Sequence, residues 1–360
     1  MKVGISVYSG DCYTIRANME YIDMASSLGV TRLFTSFNVA MGNRLAFDEV
    51  VHIVKYAKSK DMDVMVDVSP EAFKLVGADI VDLGPFYQMG VSAIRCDYGF
   101  DAQAIAVMSS NAAGIDIVIN ASTATAGWVE EIIRAGGKVE NIRACHNFYP
   151  RPYTGLSKGF FAEKTAMLKS YGLEVAAFIP SQAGKRGPLY EGLPTIEDHR
   201  VKSPVLAAKD LAYSGMVDAV YFGDAYASYE ELKGILSVDP HVVELEVQIF
   251  EGISDIEREI LFLSHHLNRM DASEYVIRSS ISRSKAISPI SPFNCIARDS
   301  NVITIDNEKM GRYMGELQIV KRPLPRDHRV NVVGKVDDSN GFLLDYIGPG
   351  TKFKLIRKDG

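Results

Sequence analysis

The organisation of this chain is clearest in one stretch, Ile142-Arg143-Ala144-Cys145-His146-Asn147-Phe148-Tyr149-Pro150-Arg151-Pro152. An apolar run opens it, and a polar and aromatic cluster follows at once. The two prolines that flank Arg151 prevent a helix from continuing through the cluster. We interpret the stretch as a buried strand that ends in a rigid polar loop, the kind of loop on which α/β enzymes hold substrate. The alternative is a proline-rich connection without a chemical role.

Seven more runs of this kind lie in the first two thirds of the chain, with amphipathic helical patterns between them. The eight predicted strands are Val3–Tyr8, Arg32–Phe37, Asp63–Val68, Ala93–Tyr98, Asp116–Ala121, Ile142–Phe148, Glu174–Ile179 and Ala219–Phe222. Strands that are apolar on both faces and alternate with helices indicate a parallel sheet, and its simplest closed form is a (β/α)8 TIM-type barrel. An extra strand at Ala78–Leu83 would favour an open doubly wound sheet, but we prefer a helical crossover there.

The pattern changes after Pro240. Ser254 and Glu257 have the spacing of a helix capping box, and an apolar stripe that reaches Leu267 follows them. The remaining β-type runs lack intervening helices and are Tyr275–Arg278, Val302–Ile305, Glu316–Val320, Val330–Val336, Phe342–Ile347 and Lys352–Ile356. Together with Val242–Phe250, they predict a small, mainly antiparallel β domain. We therefore divide the chain into a catalytic barrel over residues 1–239 and a β domain over residues 240–360.

The composition favours a globular protein that acts on a small ligand. A net charge of -6 argues against a broad surface for nucleic acid or an anionic membrane. The four cysteines form no CxxC pair, which suits reduced thiols; they are Cys12, Cys96, Cys145 and Cys295. No apolar run approaches the roughly 20 residues that span a bilayer, and the N-terminus lacks a signal-peptide pattern. We expect a cytoplasmic protein with neither nucleic acid nor membrane as a partner.

Polar side chains follow several predicted strands, at the end where barrels carry their active sites. Arg95 and Asp97 share one face of the fourth strand because side chains alternate, and their charge favours the pore. Other strand ends supply Asp67, Asn120, His146, Asn147 and Asp224. Structural alternatives remain open for these residues. Asp67 and Asp224 also suit helix caps, Asp97 suits an ion pair with Arg95, and His146 suits a hydrogen-bonded core position.

The connection after the seventh strand is unusually long for a barrel. It contains Gly184-Lys185-Arg186-Gly187, with Gln182 before this group and Glu191 after it. Glycines around a basic pair let both the backbone and the cationic side chains approach an anion, and barrels often bind phosphate near strands seven and eight. We therefore predict a phosphate site at Lys185 and Arg186. The alternative is an exposed basic turn.

Three segments resemble a known family, namely His146–Leu156, Arg186–Pro194 and Glu197–Arg200. The chain resembles the bacterial 6-phospho-N-acetylmuramidases over essentially its whole length. The resemblance implies an N-terminal barrel and a cyclophilin-like C-terminal β domain. It also implies a cytoplasmic glycoside hydrolase of cell-wall recycling, which cuts the β-1,4 bond between N-acetylmuramic acid 6-phosphate and N-acetylglucosamine.

Such a reaction normally needs two carboxyl groups. Asp97 and Asp224 are the catalytic candidates that we rank first, and Asp67 and Glu191 are ranked second. The 2-acetamido group of the substrate is an alternative nucleophile, in which case one carboxylate orients that group. The 6-phosphate and the lactyl carboxylate of the sugar require cations and hydrogen-bond donors. The predicted substrate contacts are Arg95, Asn120, His146, Asn147, Tyr149, Arg151, Gln182, Lys185, Arg186 and Arg278.

Other classes of barrel protein fit the sequence less well. A Schiff-base aldolase needs a lysine near a strand end, and none of the predicted strands has one at the expected pore position. A divalent-metal hydrolase needs clustered ligands, whereas the histidines are scattered and form neither HxH nor HExxH. We therefore expect neither a metal nor a cofactor. A phosphosugar-binding sensor remains as the alternative, and it predicts binding without turnover.

Overall fold

The computed structural model describes residues 1–10, 13–38 and 43–358. Cys12 therefore lies outside the described residues. The chain forms two compact units, Met1–Val238 and Asp239–Gly360. Within the described ranges, no helix is both long enough and apolar enough to cross a membrane.

The first unit is a closed barrel of eight parallel strands. They are β1 (Lys2–Ser6), β2 (Arg32–Ser36), β3 (Asp63–Val68), β4 (Ala93–Cys96), β5 (Asp116–Asn120), β6 (Ile142–Cys145), β7 (Glu174–Ile179) and β8 (Ala219–Ala225). Each strand pairs with the next one along the chain, and β8 pairs with β1 to close the ring. The predicted (β/α)8 barrel is confirmed, and every predicted strand is present.

Helices connect the strands around the outside. They are α1 (Ile15–Ser27), α2 (Arg44–Ser59), α3 (Pro70–Val76), α4 (Gly84–Gln88), α5 (Ala102–Ser109), α6 (Ala126–Arg134), α7 (Lys158–Ser170), α8 (Pro204–Tyr213) and α9 (Tyr229–Leu236), with 3-10 turns at Val139–Asn141 and Glu197–His199. At the start of many of these helices, a side chain accepts from a free backbone N–H group. Ser228 and Glu231, for example, form a capping box at the start of α9. The segment Ala78–Leu83 connects α3 to α4, so the crossover after β3 is helical as predicted.

Alternation along the strands separates the barrel side chains into two sets. The outward set, which includes Ile94 and Cys96, packs against the helices. The inward set fills the barrel with apolar side chains and includes Met65 and Ala93. Asp67 lies two residues after Met65, and Arg95 lies two residues after Ala93. Both therefore stand above this apolar filling, at the mouth of the barrel where the strands end.

The second unit is a seven-stranded, mainly antiparallel sheet. Its elements are β9 (Val242–Ile249), α10 (Asp255–Leu261), β10 (His266–Leu267), β11 (Val276–Arg278), β12 (Val302–Asp306), β13 (Leu317–Val320), β14 (Val330–Val336) and β15 (Lys352–Arg357). The strand order is β10-β15-β9-β14-β12-β13-β11, and β15 pairs with β9 in parallel. The predicted capping box is present, because Glu257 accepts from the backbone N–H and the hydroxyl of Ser254. The predicted fold class is confirmed for this unit as well.

Two details of the second unit differ from the prediction. The segment Phe342–Ile347 is not a strand, because most of it belongs to a 3-10 helix over Asp338–Tyr346. Asp337 caps the first turn of that helix by accepting from the backbone N–H of Ser339. The apolar stripe predicted for α10 also ends early, since the helix stops at Leu261 and Leu267 lies in β10.

Candidate active site

A buried ion-pair network lies at the mouth of the barrel. Asp67 and Arg95 are register partners on the neighbouring strands β3 and β4. Arg95 Nη1 donates to Asp67 Oδ1 at 2.6 Å and to Asp97 Oδ1 at 3.3 Å. Its other terminal nitrogen, Nη2, donates to the side-chain oxygen of Asn147. One guanidinium therefore holds two carboxylates and an amide together.

The two carboxyl groups of this network have different surroundings. Asp67 is buried, and this burial raises its pKa to about 6, although the charge of Arg95 opposes the rise. The side chain of Asp97 keeps 36% of its exposure and lines a cavity beside the pore. The two carboxyl groups that share Arg95 therefore differ in their exposure to solvent.

Asp224 anchors the loop that follows β7. Its carboxylate is fully buried and accepts the backbone N–H groups of Ser181, Arg186 and Leu193 at 2.9, 2.9 and 3.1 Å. Burial raises the pKa of Asp224, and the three N–H groups oppose this rise. The prediction that Asp224 is a catalytic carboxyl therefore has no support from the geometry, because both of its oxygens are engaged by loop 181–193.

The same loop carries a cation over the mouth. The guanidinium carbon of Arg186 lies 3.8 Å from the centre of the Tyr8 ring, and the Tyr8 hydroxyl donates to the carbonyl of Gly223. The charge of Arg186 acts on Asp67, where it opposes the burial-driven rise in pKa, and the charge of Lys185 acts on Asp224. The basic pair predicted to bind phosphate thus lies beside the buried carboxyls.

Arg200 ties together the loops that follow β6 and β7. Its guanidinium donates to the carbonyls of Tyr149 and Gly192, each at 2.9 Å, and to the carboxylate of Glu197. Glu197 also accepts the backbone N–H groups of Tyr153 and Gly155, and the hydrogen bond from Arg200 lowers its pKa to about 2. Sequence reasoning gave this pair no role. The i, i+3 spacing of Glu197 and Arg200 is the pattern that would have suggested it.

His146 faces outward from the barrel, because it alternates with Cys145 and Asn147. Its Nδ1 lies 3.2 Å from Ser122 Oγ, and its Nε2 lies 3.0 Å from Thr165 Oγ1 on α7. Burial lowers the pKa of His146 to about 3, so the ring stays neutral. The prediction that His146 contacts substrate therefore has no support, and the core interpretation accounts for its contacts.

Three other predicted contacts are engaged within the protein. Asn120 accepts the backbone N–H of Ser122 and lines the same cavity as Asp97. Gln182 donates its side-chain amide to the carbonyls of Arg200 and Lys202, so it supports the loop. Arg278 lies in the second unit and forms a two-point ion pair with Glu316 there.

The remaining predicted residues lie on the loops after β6 and β7. Arg151 and Glu191 are exposed, and Tyr149 is half-buried. Within the part of the chain that the structure describes, no group of three or more His, Cys, Asp or Glu side chains has the arrangement of a metal site. The mouth therefore combines two loop residues open to solvent with the buried network of Arg95.

A closed parallel barrel with charged residues at the ends of its strands defines the class as a (β/α)8-barrel enzyme. Two family models match the chain, described as 6-phospho-N-acetylmuramidase, N-terminal, over residues 3–237 and 6-phospho-N-acetylmuramidase, C-terminal, over residues 243–356. The chain belongs to the 6-phospho-N-acetylmuramidase family and is a glycoside hydrolase. The family predicted from the three sequence segments is confirmed.

Two solved structures are similar to the chain along its length. One is an uncharacterized protein from B. cereus, with 33% identity, coverage of 99% of both chains and a TM-score of 0.89. The other is a conserved protein of unknown function from Enterococcus faecalis, with 36% identity, coverage of 99% of this chain and 97% of that chain, and a TM-score of 0.76. Among curated proteins, no match was found.

Proposed function

We propose that this protein hydrolyses the β-1,4 bond between N-acetylmuramic acid 6-phosphate and N-acetylglucosamine. The observation that carries the proposal is the pairing of Asp67 and Asp97 on one nitrogen of Arg95 at the barrel mouth. The family name supports a phosphorylated muramic acid as the substrate. The groups assigned to the chemistry lie within residues 1–239, which makes this part the proposed catalytic domain.

Asp67 is the proposed proton donor. Its pKa, raised by burial to about 6, keeps a useful fraction of the carboxyl protonated near neutral pH. The glycosidic oxygen becomes more basic as the bond to the sugar lengthens, and it takes the proton in the transition state. Arg95 fixes the orientation of the Asp67 carboxyl, because its Nη1 donates to Asp67 Oδ1 at 2.6 Å.

Asp97 is the proposed partner at the anomeric carbon. Two oxygens that lie 2.6 and 3.3 Å from one nitrogen are separated by less than the roughly 6.5–9.5 Å that inverting enzymes leave for water. This short separation favours a retaining reaction. Asp97 then acts either as the nucleophile or by orienting the 2-acetamido group for attack. A water molecule that gives up its proton to Asp67 then hydrolyses the intermediate and releases N-acetylmuramic acid 6-phosphate.

Lys185 and Arg186 are the proposed contacts for the 6-phosphate. Their loop is held by Asp224, so the cations are positioned before substrate arrives. Arg151, on the neighbouring loop, is the proposed contact for the lactyl carboxylate. A cytoplasmic role in cell-wall recycling is consistent with this phosphorylated sugar and with the free Cys96 and Cys145 in the barrel.

The proposal is tested by incubating the purified protein with the phosphorylated disaccharide and identifying the products by mass spectrometry. We expect equal amounts of N-acetylmuramic acid 6-phosphate and N-acetylglucosamine. Saturable binding of the intact disaccharide without any cleavage would contradict the proposal and favour the sensor.

A further inference from the structure

A cavity of about 340 Å³ opens beside Asp97, between the loops that follow β4 and β5. Its walls include Asp97, Tyr98, Phe100, Asn120, Thr123 and Trp128. This volume is near the lower end of the range for small-molecule sites, roughly 300–1,000 Å³, and suits one sugar ring rather than a whole disaccharide. The function proposed above uses Asp97 from this cavity and none of its other wall residues.

The walls have the chemistry of a site for a neutral sugar. Tyr98, Phe100 and Trp128 supply aromatic surface, and Asn120 and Thr123 supply neutral hydrogen-bonding groups. Among the described residues that line the cavity, none is lysine or arginine. Lys164 lies nearby, but its ammonium donates to the carbonyl of Ala124 at 2.8 Å. The guanidinium of Arg95 pairs with Asp97 but is already shared with Asp67, so an anionic sugar would meet Asp97 without an unshared cation in the lining.

The position of the cavity relative to the cations is set by the strand order. In a ring of eight strands, β4 and β8 lie opposite each other. The cavity adjoins β4 and β5, whereas Arg186 stacks on Tyr8, just beyond β1 and next to β8. Asp97 belongs to the cavity side, and Asp67 lies on β3, next to β4, where the charge of Arg186 acts on it. The side near β8 thus carries Arg186, whereas the side near β4 carries aromatic and neutral polar residues together with Asp97.

We propose that this cavity is the subsite for the N-acetylglucosamine ring, and that the phosphorylated muramyl ring occupies the opposite side, under Lys185 and Arg186. The proposal rests on the function proposed above and adds the direction in which the disaccharide lies across the mouth. Tyr98 and Trp128 hold the neutral ring by aromatic contact, and Asp97 stands at the boundary between the two rings.

The sequence supplies a direct probe of this subsite, because Trp128 is the only tryptophan of the chain. Its emission reports occupancy of the cavity independently of turnover. Titration of the full-length protein with free N-acetylglucosamine is expected to change the emission in a saturable way. Free N-acetylmuramic acid 6-phosphate is expected to leave the emission unchanged at concentrations that inhibit cleavage.

Tyr98→Ala tests the wall itself, since the Tyr98 side chain is 58% exposed and its removal leaves the core intact. We expect the apparent Kd for N-acetylglucosamine and the KM for the disaccharide each to rise about three- to tenfold, with kcat changed less. Tyr87→Ala is the matched control. Tyr87 is 61% exposed in α4, which leads into β4 at the other end of the barrel, and its removal is expected to change neither value.

Cleavage and emission are read separately, so the two proposals fail separately. An enzyme that cleaves the disaccharide while N-acetylglucosamine leaves Trp128 emission unchanged would overturn the subsite and leave the function standing. An equal response to the muramyl phosphate would also overturn it. Absence of cleavage would overturn the proposed function, whatever the emission shows.

Discussion

Arg95 pairs with Asp67 across two adjacent barrel strands, with Nη1 and Oδ1 2.6 Å apart. A buried ion pair of this kind normally favours the ionised carboxylate, yet burial raises the pKa of Asp67 to about 6. Asp97 contributes to this rise in pKa, because its carboxylate accepts from the same guanidinium nitrogen and so places a negative charge near Asp67. Asp67 is therefore a carboxyl near the end of β3 with a pKa of about 6, close enough to neutral pH to exchange its proton there.

Replacing Asp67 with Asn removes the proton donor and keeps an oxygen that accepts from Arg95. We expect kcat on the phosphorylated disaccharide to fall by about 10²–10⁴ with little change in KM. Steady-state kinetics measures both, and circular dichroism checks the fold. Asp61→Asn is the control, since Asp61 is exposed before β3 at the other end of the barrel. Full activity in Asp67→Asn would show that this carboxyl is not the acid.

The pH dependence of the wild type follows from the same group. A general acid works in its protonated form, so kcat/KM is expected to fall as pH rises through about 6. The free energy of unfolding is expected to change in the same direction. Because the pKa of Asp67 is higher in the folded than in the unfolded state, its contribution to stability is lost as pH rises through about 6. Profiles of kcat/KM and of the free energy of unfolding, taken from about pH 4 to 8, test both effects. Asp67→Asn should flatten the kcat/KM profile and reduce the slope of the stability profile, to which Asp306 still contributes because burial raises its pKa to about 7. Unchanged profiles in that variant would assign the titration to another group.

Arg186→Ala and Lys185→Ala test the phosphate contacts. A hydrogen bond to a charged group contributes roughly 1.5–3 kcal/mol, so each variant is expected to raise the KM for the phosphorylated disaccharide by about tenfold or more. Activity on the unphosphorylated disaccharide should hardly change. Lys169→Ala is the control, because Lys169 pairs with Asp218 just before β8, at the end of the barrel away from the mouth. Equal effects on both substrates would place the phosphate elsewhere.

Asp224→Asn separates the anchoring role from a catalytic one. The amide offers one acceptor where the carboxylate meets three backbone N–H groups, and a buried N–H without a partner costs about 1–3 kcal/mol. We expect a lower Tm and faster amide exchange over residues 181–193, with KM raised more than kcat is lowered. An unchanged Tm and unchanged exchange, combined with a complete loss of kcat, would restore Asp224 as a catalytic carboxyl.

The barrel was predictable because each strand is a short apolar run that precedes a helix with a polar face. Alternation also placed Arg95 at the pore, since a charged residue inside an apolar strand has few other solutions. The 3-10 helix at Asp338–Tyr346 was not predictable from its β-type composition. The cap from Asp337, and not the propensity of Phe342 and its neighbours, decides the local structure there.

The different surroundings of the carboxyls were not accessible from the sequence. Asp67 and Asp224 both end strands and precede helices, and only the folded loop shows that three N–H groups converge on Asp224. The outward orientation of His146 depends on which residues of β6 face the pore. The sequence shows that Trp128 is the only tryptophan of the chain. Its position in a cavity beside Asp97 depends on how two loops pack, which the sequence does not show.

The most direct test of the account is the ratio of kcat/KM for the phosphorylated and unphosphorylated disaccharides, measured in one competition assay with the wild-type protein. A hydrolase that clamps the 6-phosphate with Lys185 and Arg186 is expected to prefer the phosphorylated substrate by about 100-fold or more, since two charged hydrogen bonds are lost without the phosphate. Equal values for the two substrates, or no release of N-acetylglucosamine from either, would contradict it.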